Sequence, residues 1–103
     1  MSHDDILQAL MARINDFAGF GYRVAFDLGD DGALSVDGTQ NPPVFSGEAD
    51  EAAEADCTIR LSADNMAKLM SGGLNPMMAY TLGKLKIEGS LGVAMKVASL
   101  LEE

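Results

Sequence analysis

Tryptophan is absent, cysteine and histidine occur once each (Cys57 and His3), and seven bases face sixteen acids. A lone cysteine forms no internal disulfide and builds no cysteine metal site. A Cys–His nucleophile pair requires a flexible first segment, carrying His3, to dock beside Cys57. Cys57 has apolar residues two positions to either side, the surroundings of a small buried hydrophobe. The titratable inventory for catalysis is therefore thin, and no enzyme, no catalytic residue, no metal and no cofactor is expected. No apolar run approaches the ~18 residues that cross a bilayer as a helix. No glycine-rich phosphate loop follows a strand, and Gly72-Gly73 is too short to make one. A net charge of −9 excludes nucleic acid as a partner, since phosphate binding needs clustered bases. With no tryptophan and four phenylalanines, large rings do not plug the space between layers, which permits a cavity.

The 103 residues suit one domain spanning 1–103, and an apolar fraction of 48% is enough for a core. The charge is uneven. Residues 1–56 hold twelve acids and two bases, whereas residues 57–103 hold four acids and five bases. An acidic surface keeps a protein dispersed, and the less acidic half is the one suited to a membrane or an acidic partner. The acidic start, Met1-Ser2-His3-Asp4-Asp5, does not read as a secretory signal, and a reducing cytosol is the expected location.

Ile6, Leu7, Leu10, Met11, Ile14 and Phe17 recur at helical spacing, and one amphipathic helix is expected from Ser2 to about Ala18, stopped by Gly19 and Gly21. The period then falls to two. Tyr22, Val24, Phe26 and Leu28 alternate with Arg23, Ala25 and Asp27, as in a strand with one wet face. Gly29-Asp30-Asp31-Gly32 turns into a second strand around Leu34 and Val36, and Pro42-Pro43 leads to a short edge strand at Val44-Phe45-Ser46. Glu48, Asp50, Glu51, Glu54 and Asp56 lack the glycine and spacing of a calcium loop and read as a solvated crossover. Cys57, Ile59 and Leu61 form a fourth strand. Two short helices follow, the second capped by Asn75-Pro76. Lys84 to Glu88 alternates as a fifth strand, and Ser90 caps a last helix. Each strand has one apolar side, so helices cover one face of the sheet in an α+β sandwich.

Four of seven methionines, Met66, Met70, Met77 and Met78, lie within thirteen positions, and Met95 is on the last helix. Methionine fills irregular cores, and it also lines cavities that accept ligands of varied shape.

Gly73-Leu74-Asn75-Pro76, Ala79-Tyr80 and Gly83-Lys84-Leu85-Lys86-Ile87 with Gly89 resemble the signature of the sterol carrier protein 2 family. Asp56-Cys57-Thr58-Ile59 and Ser62, and Asp27 with Gly32, are similar to its earlier strands. The resemblance covers about residues 20–101. It implies a five-stranded, mixed, largely antiparallel sheet whose covered face encloses a tunnel for sterols, fatty acids or acyl chains. The tryptophan common in the family's first strand is replaced here by Phe26 or Tyr22, and Glu102-Glu103 does not read as a peroxisomal tail, so none is expected.

The function expected is therefore binding or transfer of a hydrophobic small molecule: a fatty acid, acyl chain, sterol-like or prenyl lipid. The alternative is an interaction or accessory subunit of lipid or quinone metabolism with a filled cavity. The expected lining is Phe26, Val36 and Ile87 from the sheet, with Met70, Met77, Tyr80, Leu82, Met95 and Val97 from the helices. Lys68, Lys84, Lys86 and Lys96 are the bases expected to support a transient membrane contact. Monomer and homodimer both remain open.

Overall fold

The computed structural model describes residues 3–47 and 55–101. The expected cap Ser2 and most of the acidic crossover, residues 48–54, lie outside the described residues. Helices α1 (His3–Met11) and α2 (Ile14–Phe17) precede strands β1 (Arg23–Asp27), β2 (Ala33–Asp37) and β3 (Val44–Ser46). A 3₁₀ turn at Gly29–Asp31 joins the first two strands. Strand β4 (Cys57–Leu61), helices α3 (Ala63–Met70) and α4 (Pro76–Thr81), strand β5 (Leu85–Gly89) and helix α5 (Leu91–Leu101) complete the order.

The five strands form one sheet in the order β3-β2-β1-β4-β5. The three β1-β2-β3 and β4-β5 pairings are antiparallel, while β1 and β4 run parallel. Register aligns Val36, Val24, Cys57 and Gly89 in one row and Leu34, Phe26, Ile59 and Ile87 in the next. These residues share one face because side chains alternate along a strand. Helices α1, α3 and α5 close that face, with Ile6, Leu10, Met66, Leu69, Val93 and Val97 joining the sheet residues in one buried cluster.

The other face carries Asp27, Arg60 and Glu88. Arg60 reaches both acids, at 3.6 Å and 3.1 Å, and Arg23 reaches Asp37 at 3.3 Å. It is drier at its centre than alternation alone implies. Ala25 and Ser35 are buried there, small side chains opposite each other, with the ion-paired Arg23 and Asp27 two residues from Ala25 and Asp37 two residues from Ser35.

The first helix departs from expectation. In place of one helix to Ala18, the ladder tightens where the Arg13 N–H donates to the Leu10 carbonyl, and α2 starts afresh. The Arg13 guanidinium leaves the helix surface and donates to the carbonyls of Met70 and Leu101, each at 2.7 Å. One side chain thus satisfies open carbonyls at the ends of both α3 and α5. His3 also differs from the frayed terminus expected of it, since its Nε2 lies 2.8 Å from the Ala33 carbonyl oxygen on β2.

Candidate functional site

Helix α4 is short and sharply bounded. The Asn75 side-chain oxygen accepts the N–H groups of Met77 and Met78 at 2.9 and 3.2 Å, and Pro76 takes the first position, where a missing N–H costs nothing. On both sides of α4 the chain reverses through a glycine with positive φ: Gly72 (+82°) after α3 and Gly83 (+76°) after α4. In each case two N–H groups fold back onto the preceding turn. Gly73 donates to Lys68 and Gly72 to Leu69, while Lys84 donates to Ala79 and Gly83 to Tyr80.

What α4 turns inward is small. Pro76 and Ala79 are buried, whereas Met77, Met78, Tyr80 and Leu82 are 58%, 61%, 44% and 62% exposed. Scattered apolar residues are normal on a surface, but four large ones on a six-residue helix and its cap form a patch.

Two depressions adjoin this helix. One, of about 390 Å³, lies between the start of α4 and the second half of α5 and is lined by Asn75, Pro76, Met77, Met95, Ala98 and Ser99. The polar atoms at its rim are largely occupied. Asn75 caps α4, and the Ser99 hydroxyl donates to the Met95 carbonyl at 3.1 Å. The second, of about 200 Å³, is formed by Met77, Met78, Thr81 and Leu82. A third groove, of about 440 Å³, runs past Gly83 and includes Asp27, Leu28, Arg60, Ser62, Lys84 and Lys86.

The nine lining residues expected from the sequence divide. Met77 and Met95 meet in the first groove, and Leu82 joins Met77 in the second. Tyr80 is on the same helix, exposed. Phe26, Val36, Met70 and Val97 lie in the packed core, with Ile87 half-buried against it. Asn75, Pro76, Ala98 and Ser99 complete the lining of the first groove, and as a proline, an alanine and two small polar residues they carry no apolar signal in the sequence.

Cys57 is buried, and burial first, then the Asp56 charge, pushes its thiol up to about 11. It stays protonated near neutral pH, the opposite of an activated nucleophile. Its strand neighbours are Val24 and Gly89, while His3 sits against Ala33 and Gly47. The two are not assembled as a pair. Among the described residues no group of three His, Cys, Asp or Glu side chains could hold a metal ion. None of the described helices is long and apolar enough to cross a membrane.

The model of the SCP-2 sterol transfer family matches residues 4–102. Sterol carrier protein 2 of Rattus norvegicus is 49% identical over 47 residues, which is 46% of this chain and 9% of that protein. The chain thus aligns with under a tenth of this relative's length. Among solved structures, sterol carrier protein 2 of Yarrowia lipolytica, in its apo form, aligns over 96% of this chain and 85% of its own, with TM-score 0.73 and 22% identity. Sterol carrier protein 2 of Aedes aegypti, in complex with the C16 fatty acid palmitate, aligns over 98% and 94%, with TM-score 0.69 and 16% identity.

Proposed function

The chain belongs to the SCP-2 sterol transfer family, and from that premise we propose that it binds a single-chain lipid, a fatty acid or acyl group, without chemical turnover. The observation that carries the reading is the groove of about 390 Å³ between α4 and α5. Its volume falls in the range of about 300–1,000 Å³ usual for small-molecule sites. The thioether side chains of Met77 and Met95, with Pro76 and Ala98, present an apolar lining that adapts to a flexible chain. The Asn75 oxygen is committed to the helix cap, while its amide N–H₂ has no acceptor among the described residues and is free to meet a carboxylate at the rim. The palmitate held by the Aedes aegypti protein is the ligand class this reading takes over.

Binding of this kind rests on buried hydrocarbon, about 0.8 kcal/mol per CH₂. Affinity should therefore rise steeply along a series of fatty acids from octanoate to palmitate, until the groove is filled. Native mass spectrometry of delipidated protein measures this directly. Met77→Asp places an acid near the positive end of α4, which the helix tolerates, yet it puts a charge in the groove. It should weaken palmitate binding at least tenfold with little change in melting temperature. Absence of binding at micromolar concentrations, or equal affinity for short and long chains, contradicts the proposal.

A further inference from the structure

We infer that the exposed face of α4, with the bases that follow it, is a docking surface for an anionic phospholipid bilayer. The first observation is apolar exposure: Met78 and Leu82 are 61% and 62% exposed and flank a shallow apolar depression with Met77 and Thr81. The second is charge. From residue 65 to residue 87 the chain carries three bases, Lys68, Lys84 and Lys86, and no acid, within a molecule of net charge −9. None of the three makes an ion pair among the described residues. The two acids facing this region from the sheet, Asp27 and Glu88, are both engaged by Arg60.

The two features adjoin. Lys84 follows Leu82 by two residues through the Gly83 reversal, and Lys84 and Lys86 line one groove of about 440 Å³. Large apolar side chains beside unpaired lysines fit a bilayer interface, the apolar groups entering the headgroup boundary while ammonium groups meet phosphates. Lys96 is set apart from this group, since its Nζ lies 5.0 Å from the centre of the Tyr22 ring. Docking does not depend on the groove's ligand, so either reading can fail alone.

Cosedimentation of the full chain with vesicles of phosphatidylcholine alone, or of phosphatidylcholine mixed equally with phosphatidylglycerol, tests this. The parent should favour the mixed vesicles and lose that preference at high salt. Each lysine near such a surface contributes about fivefold, so Lys84→Glu with Lys86→Glu should reduce partitioning by at least about 25-fold. Met78→Ser with Leu82→Ser should reduce it on the order of tenfold. Lys96→Glu should have far less effect, which separates a local surface from a change in overall charge. Palmitate affinity, measured separately, should persist in all of these variants. Should the serine variant fold poorly, the exposed lysine pair still decides the matter. Equal partitioning of parent and lysine variant overturns the inference. A parent dimer that Met78→Ser with Leu82→Ser dissociates, without vesicle binding, assigns the face to a second copy and overturns it too.

Discussion

His3 donates from its ring to the Ala33 carbonyl, and that bond is the largest influence on its protonation. Together with Asp4 it outweighs the opposing effect of burial and raises the imidazole pKa above the usual 6.5. A pKa raised on folding means the charged ring stabilises the fold. That contribution is complete below the unfolded value and is lost as pH rises through the folded one. The melting-temperature gap between parent and His3→Gln should therefore be wider at about pH 5 than at about pH 8; a constant gap would refute the role. Cys57 differs in legibility. Its burial could be read from strand alternation, because Ile59 and Leu61 share its face. The anchoring of His3 could not, because its acceptor is thirty residues away on another strand.

Helix boundaries show the same division. The Asn75-Pro76 cap and the Gly72 and Gly83 stops were legible, because they rest on local backbone chemistry. The break at Arg13 was not, since the carbonyls it bridges lie 57 and 88 residues away. Charged donors to carbonyls contribute about 1.5–3 kcal/mol each, and Arg13→Ala should cost about 3 kcal/mol in urea unfolding with an unchanged denaturant slope. Arg13→Lys should recover only part, because an ammonium lacks the planar fork that spans two acceptors. A loss no larger than that of an ordinary surface substitution would show that the bridge between α3 and α5 contributes little. The outward face of α4 was equally hidden. Met77, Tyr80 and Leu82 read as inward-facing lining when the helix is short and nearly all apolar, because six residues define no stripe.

At the scale of the molecule, the five strands and the order of the elements followed from periodicity, and the parallel β1–β4 pair joins the two antiparallel halves of the sheet. Of the lining residues expected from the sequence, Phe26, Val36, Met70 and Val97 lie in the packed cluster, and apolar character alone cannot separate a core from a cavity wall. Met77 and Met95 belong to the groove because α4 turns its small residues inward and leaves its large ones beside α5. The methionines themselves provide the decisive probe. With ¹³C-methyl-labelled methionine, palmitate should shift the Met77 and Met95 methyl signals and leave those of Met66 and Met70, packed in the core, nearly unmoved. Shifts at Met66 and Met70 with Met77 unmoved would contradict the account, placing the chain between sheet and helices instead.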